Sequence, residues 1–457
     1  MSNETAVLDD VMEIEAPQEH SAPAILSGIP EGRGDDLPGW FHARQEEAWT
    51  RFTSLPMPNR KDQAWRFSNV NALDLAPFFL GQAPDDDERR EILARSSSLE
   101  QVAGRLIYAD DFLLRRDPLP EALRNAGVIL KPLERGLIEH EELFRKHFMA
   151  QPTPLGSLKF AALHEALVKS GTFIYVPRGV EVELPIEIFH WLNGENASVF
   201  PHTLLIADEL SKVTVLEHFR SAHAGRRGFA CGVNDLVVGR GAKVTYVCAQ
   251  NWDESVLAIQ MNATTAERDA SALSLNVNLG GGYSRFESFS RLAGEGSRSD
   301  LLAIAVADGT QEFDARTLQD HASPHTTSDL LYKNSLSDRA RTTFGGLIRV
   351  EPQAHFTDAY QTVRNILLSD DAEANSMPGL EILADNVKCS HGATSGQLNE
   401  NEMFYLLARG IPASVARQLL VTGFLNEVVE RLKHPAVTEY LEHAISEKLG
   451  RRPEFRP

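Results

Sequence analysis

Four stretches of this chain begin alike and recur at a nearly constant spacing: SKVTVLEHF from Ser211, AKVTYVCAQ from Ala242, SALSLNVNL from Ser271 and SDLLAIAVA from Ser299. Each opens on a small or polar residue and continues as a β-branched or Leu-rich alternation, and the starts lie 31, 29 and 28 residues apart. Alternation with period two sends successive side chains to opposite faces of a strand. A repeat of this length with little helix between its strands marks a β-solenoid, in which each coil buries its face on the next. A β-sandwich also has regular short strands. Here, however, strands run without a break from GTFIYVPRGVEVELPIEIFHW at Gly171, through 341–350 and 354–368, to the region of Cys389. The expected class is mainly β, with a β-solenoid core over 156–398.

The flanks read differently. Residues 1–38 are rich in Asp, Glu, Pro and Gly without sustained period and read as a flexible acidic tail. Residues 39–155 read as a mixed α/β, mainly helical N-terminal domain. Trp40, Phe41, Ala48, Trp49 and Phe52 suit one helical face, and carboxylates from Asp85 onward suit a helix start. MPNRKDQAWRFSNV at 57–70 reads as a turn leading into a packed Trp65 and Phe67. After Gln397 the pattern is helical again, giving a C-terminal helical domain over 399–457. Asn399 to Glu402 is a plausible start, Gly410 a stop, and Pro412 sits near the first turn of a new helix. Val415, Leu419, Phe424 and Val429 fall around that amphipathic helix, which suits docking on the solenoid or presentation to a partner protein.

Composition excludes several classes. A hydrophobic fraction of 42% is that of an ordinary soluble globular protein, and no apolar run approaches the ~18–20 residues that span a bilayer. The first twenty residues carry acids and no Lys or Arg, unlike a secretory or transit peptide. Three distant cysteines, Cys231, Cys248 and Cys389, make no disulfide framework and suggest a reducing compartment. A net charge of −19 argues against broad nucleic-acid binding. The expectation is a soluble, acidic, cytoplasmic protein. With no Gly-Lys pair there is no phosphate-binding P-loop, so the chain has no ATP site of that kind. HExxH, GxSxG and CxxC patterns are missing as well, His321 and His325 read as ordinary loop histidines, and Gly280-Gly281-Gly282 reads as a turn. The residues offer no conventional active site.

One stretch carries possible metal chemistry. The segment from Glu381 to His391 reads as a strand, which would place Asp385, Val387, Cys389 and His391 on one face. A thiolate beside an imidazole can bind iron, zinc or copper. Two ligands do not close a site, since structural zinc and iron–sulfur sites usually take four. The remainder would come from elsewhere, including a second protein. The same spacing also fits a small buried thiol beside a surface histidine.

VKCSHGATSGQL, followed by FYLLARGI and LLVTGFLNEVV, resembles the C-terminal signature of the SufB/SufD family of iron–sulfur cluster assembly proteins. GTFIYVPRGVEVELPI, LLYKNSLSDRARTTFGGLIRV and TDAYQTVRNILLS match it in order and spacing, so the resemblance covers at least 160–432. Cys-Ser-His-Gly-Ala-Thr and RKDQAWRFSN look like the SufD side of the family. The resemblance implies a right-handed parallel β-helix between helical N- and C-terminal domains. It further implies a non-catalytic scaffold that pairs with a SufB-like paralogue through the β-helix ends and binds the SufC ATPase through its C-terminal helices, with ATP hydrolysis in that partner. By this resemblance His391, and after it Cys389, are ligands of a nascent iron–sulfur cluster shared with the paralogue. Pro412, Val415, Leu419, Phe424 and Val428 are the candidate ATPase contacts. No pattern here addresses flavin. Two alternatives stand beside this one: a SufB-type scaffold acting as a homodimer, and a polysaccharide-acting β-helix enzyme, which would need paired acids or Arg on the solenoid face and usually a secretion signal.

Overall fold

A computed structural model describes residues 22–33 and 37–451. From Gly171 to Gly396 the chain alternates between two sheets whose strands are all parallel within the solenoid. The four recurring stretches are consecutive neighbours in one of them, at Lys212–Ser221, Lys243–Asn251, Ser271–Asn278 and Arg298–Ala307. Their register aligns Val213, Val244, Ala272 and Ser299, all at most 2% exposed. The second sheet interleaves Gly228–Val238, Val256–Ala266, Tyr283–Leu292, Glu312–His321 and Arg341–Val350. Each coil therefore holds two strands, and only one of the two carries the shared lead that the sequence repeat detects. Alternate residues of both sheets meet in a common interior, where Val215, Tyr246 and Cys248 pack with Ala230, Leu236, Ala258 and Phe286. Burying alternate apolar side chains coil on coil is what makes a solenoid stable.

The two ends of the solenoid are unlike. At the N-terminal end Gly104–Ala109 pairs with Ile186–Leu192 and carries the antiparallel strand Phe112–Asp117, while Ile129–Pro132 lies antiparallel on Gly171–Val176. Antiparallel strands and helices thus close that end. At the other end Glu373–Ile382 and Lys388–Gly396 are the last strands of their sheets, each paired on one side only among the described residues.

Helix Gly39–Ser54 packs on helix Leu158–Leu167, with Phe41, Ala48 and Phe52 in one core with Phe160, Leu163 and Leu167. The second helix is buried from Phe160 onward, because it is sandwiched between the first helix and the sheet. It therefore belongs to the N-terminal unit, and the solenoid starts at Gly171, later than the expected 156. Residues 1–21 lie outside the described residues, but the expected solvated tail does not extend to 38. Ile25 is fully buried, Leu37 nearly so, and Ala24 bridges to Phe79. Acid-capping at Asp85 is realised as a capping box: its side chain accepts the N–H groups of Asp87 (2.9 Å) and Glu88 (2.8 Å).

Segment 57–70 is pinned by buried charge. Trp65 is 1% exposed, and the Arg285 guanidinium lies 3.8 Å from its ring centre. Arg285 pairs with Glu287 (2.8 Å) and Asp314 and donates to the carbonyls of Ala64 (3.0 Å) and Leu155 (2.8 Å). Arg316 holds the carbonyl of Arg66 (2.9 Å) and Asp314 (2.7 Å). Phe67 departs from expectation: its backbone is left-handed (φ 68°) and its ring is 52% exposed, because the turn that buries Trp65 rotates the next aromatic outward.

Helices Ala413–Val429 and Pro435–Gly450 dock on the outer face of the first sheet. Val421, Leu425, Val428, Leu441 and Ile445 cover the aligned row Leu216, Val247, Leu275, Leu302 and Leu331. Among the described residues no helix is long and apolar enough to cross a membrane.

Candidate functional site at the open solenoid end

Cys389 and His391 stand on the last strand, Lys388–Gly396, at the open end. The expected strand from Glu381 to His391 does not exist as one element. Glu373–Ile382 ends in one sheet, a corner with Asn386 in the left-handed region (φ 57°) turns the chain, and the new strand starts in the other sheet. The corner is held from below, where Asn386 accepts the N–H of Phe356 (3.1 Å) and His355 Nδ1 meets the Asp385 carbonyl (3.1 Å). Asp385 stays in the corner and off the strand face, Val387 just before the strand packs with Cys389 against Ile348, Val350, Ala354 and Ala359, and Cys389 and His391, two apart on one strand, share its face.

Register fixes which face that is. Cys389 lies over Ala359 and His391 over Gln361, and both of those residues are buried inside the preceding coil. Cys389 and His391 thus project over the mouth of the interior. Cys389 is half-buried against the cluster of Ile348, Val350, Ala354 and Ala359. Burial, with the nearby Asp358 carboxylate, pushes its thiol pKa up. Cys389 is therefore held as the thiol, and ligation through its sulfur would require a cation to displace the proton. His391 is exposed and has no hydrogen-bond partner among the described residues. The far side of the mouth is tied together by Asn365, whose amide reaches Ser395 Oγ (3.0 Å) and accepts from Asn334 (2.7 Å).

Among the described residues no three His, Cys, Asp or Glu side chains converge as a metal site. One soft and one borderline donor face outward from an unpaired sheet end, so a tetrahedral iron or zinc would need its remaining ligands from a second molecule. The other cysteines are not alternatives, since Cys231 and Cys248 are fully buried in earlier coils and burial raises both thiols. His321 is not in a loop. It ends the strand Glu312–His321, fully buried, with Nδ1 on Thr326 Oγ1 (2.7 Å) and Nε2 on Ser328 Oγ (2.9 Å), a structural arrangement. The Gly280–282 turn is as expected, with Gly281 at φ 92°.

A second surface lies on the C-terminal helices. Phe404 is 71% exposed, Tyr405 55% and Leu419 52%, and Arg409 stacks 3.5 Å from the Tyr405 ring centre. Pro412 is exposed beside them and Val415 half-buried. Phe424 is engaged internally, its ring under Lys333 Nζ (4.4 Å) and its carbonyl accepting from the same amine (2.6 Å). Val428 is fully buried in the seam with the solenoid and is not on the outer face. Sequence reading passed over Phe404 and Tyr405 as site residues. The available signal was two adjacent aromatics in the eight-residue helix Glu400–Leu407, too short to bury all sides.

Residues 190–424 match the family described as SUF system FeS cluster assembly, SufBD core domain, and residues 37–188 match the SufBD protein N-terminal region. The iron–sulfur cluster assembly protein SufB of Bacillus subtilis (strain 168) is 30% identical over 314 residues, 69% of this chain and 67% of that protein. SufD of the same organism is 28% identical over 422 residues, 90% of this chain and 94% of that protein. An iron–sulfur cluster assembly SufBD family protein of Staphylococcus epidermidis is 29% identical over 314 residues, 69% of this chain and 67% of its own length.

Proposed function

We propose, from the premise that this chain belongs to the SufBD family of iron–sulfur cluster assembly proteins, that it is a SufD-like scaffold subunit. In this reading it pairs with a SufB-like paralogue and with the SufC ATPase to build a nascent cluster and pass it to apoproteins. The observation that carries the reading is the asymmetry of the solenoid: one end finishes in the short antiparallel strands Phe112–Asp117 and Ile129–Pro132, while the other finishes in the two long parallel strands Glu373–Ile382 and Lys388–Gly396, the second carrying Cys389 and His391. Unpaired parallel edges of ten and nine residues are a pairing liability that a partner strand removes. A match that extends over 90% of the chain to SufD, against 69% to SufB, supports the SufD side. So does the Cys-Ser-His-Gly-Ala-Thr motif itself.

The cluster is cargo here. His391, with Cys389, supplies part of a ligand set that the paralogue completes, and a site split between two chains can release what it holds. The exposed Phe404, Tyr405, Pro412 and Leu419 surface is the contact for the ATPase. Nucleotide-driven closure of two ATPase copies would pull on the two C-terminal helical regions and shear the paired ends, shifting the population between shielded and open cluster sites. The chain itself needs no catalytic group for this role.

The test is the mass, by light scattering, of the anaerobically co-expressed complex with SufB and SufC, followed by iron and sulfide loading. One copy of this chain, one SufB and two SufC copies are expected. His391→Ala should abolish most cluster loading without changing that mass. A chain that runs alone, or a His391→Ala complex that loads fully, overturns the reading.

A further inference from the structure

Directly beneath His391 lies a polar group that the cluster-ligand reading does not use. Gln361 sits in the strand Asp358–Leu367, one rung below His391 in register and on the same inward face. It is 1% exposed, yet neither its Oε1 nor its Nε2 has a hydrogen-bond partner among the described residues. A buried carboxamide with both ends unpaired costs stability, and such groups are rare in folded proteins. Its neighbours in the same row below are apolar, Leu330 and then Leu301, so the only polar side chain next in that row is the imidazole above. The opposite wall makes room for the amide. A Cβ at Gly346 would stand 2.7 Å from Gln361 Oε1, closer than real Cβ contacts come.

Neighbouring rungs of a sheet are about 4.8 Å apart, which puts a side chain in one rung within hydrogen-bond reach of its neighbour above. A metal-bound histidine generally gives the N–H of its second ring nitrogen to a carbonyl or carboxylate, which fixes the tautomer and the ring plane. Exposed on an edge strand, His391 has no such support from any other described residue.

We propose that Gln361 is the positioning residue for His391: its carboxamide oxygen takes the N–H of one imidazole nitrogen and aims the other, as a free lone pair, out of the solenoid mouth toward the shared cluster. This rests on His391 being a cluster ligand. The carboxamide makes no metal contact itself. Its role is to hold the neutral ring in one tautomer and one orientation before the partner or the iron arrives, so that less ordering is left to the moment of binding.

The experiment uses the full-length protein with 15N-labelled histidine at a pH where the ring is neutral, the His391 signals being identified by their loss in His391→Ala. Wild type should show one predominant tautomer. In Gln361→Leu and Gln361→Met the His391 nitrogens should move toward the mixed-tautomer shifts of free imidazole, while the thermal midpoint stays equal or rises, because the bond lost to the imidazole is offset by removing a buried amide nitrogen that has no partner. In the complex with SufB and SufC, both variants should lose tenfold or more in apparent affinity for ferrous iron supplied with sulfide. His391 shifts that coincide with wild type in both variants overturn the proposal. A His391→Ala complex that loads iron like wild type sinks the ligand reading instead, and the tautomer measurement still decides what Gln361 does to the ring.

Discussion

Replacing Arg285 by Met tests whether buried charge, more than apolar packing, holds segment 57–70 on the solenoid. The guanidinium is fully buried and serves two carboxylates and two backbone carbonyls at once. Asp314 would keep Arg316 (2.7 Å) and Ser68 Oγ (2.5 Å), but Glu287 would keep only the Ser157 hydroxyl (2.6 Å), with its Oε2 already unpaired. Removing one partner of a buried ion pair leaves an uncompensated charge and costs about 3–5 kcal/mol. The stacking on Trp65 overlaps with that figure and is not added to it. The bonds to the Ala64 and Leu155 carbonyls and the stacking on Trp65 join segment 57–70 and the Leu155 loop to the sheet, and lifting that cover hydrates the stranded carboxylate, so the loss falls on local opening. A change of that size raises the open population roughly 150- to 5,000-fold. Trypsin cleavage at Arg60, Lys61 and Arg66, under conditions where opening is fast, reads it directly. Arg285→Met/Glu287→Met should restore much of the protection, because an apolar pair replaces a stranded carboxylate. Cleavage rates within threefold of wild type in Arg285→Met would refute the argument.

Two buried groups should tilt the stability profile in opposite directions. Burial raises the Asp110 pKa to about 7, against the Asn193 and Gly194 N–H bonds that lower it, so the native state holds an extra proton above pH 3.8. That contribution is full at low pH and is lost as pH rises through 7, on the order of 4 kcal/mol; Asp110→Asn should flatten the neutral limb of midpoint against pH. Burial lowers His321 to about 4, so its contribution is full above pH 6.5 and lost as pH falls toward 4, about 3 kcal/mol, and His321→Gln should flatten the acid limb. Leu425→Ala, in the seam under the C-terminal helices, should cost about 2–5 kcal/mol in urea unfolding. Leu419→Ala, 52% exposed on the outer face of the same helix, should change stability by no more than about 0.5 kcal/mol while weakening ATPase capture in a pull-down. Equal stability losses in the two would mean that the helix is docked the other way round.

The chain announces its solenoid because stacking demands periodicity. Val213, Val244, Ala272 and Ser299 must present small or apolar side chains to one interior, so their strands repeat at the length of one coil. The same logic made the C-terminal helices and the Cys389–His391 pair legible, since spacing of two on a strand fixes a common face whatever the rest of the chain does. What spacing could not reach was anything set by contacts across long separations. The interleaved second sheet has no shared lead. Ile25 and Leu37 look like tail residues until helix Leu158–Leu167 and the sheet offer them a core. Phe67 reads as a core aromatic but is turned out by a left-handed backbone, and Val428 reads as part of a presented stripe but is spent on the seam. The site divides in the same way. Local sequence placed a thiol and an imidazole side by side. Tertiary stacking alone decided that they stand at an open solenoid end, and that the imidazole stands over Gln361, thirty residues earlier in the chain. A strand's own alternation is encoded in its neighbours two residues away, whereas its partner one rung below is chosen by the length of a whole coil.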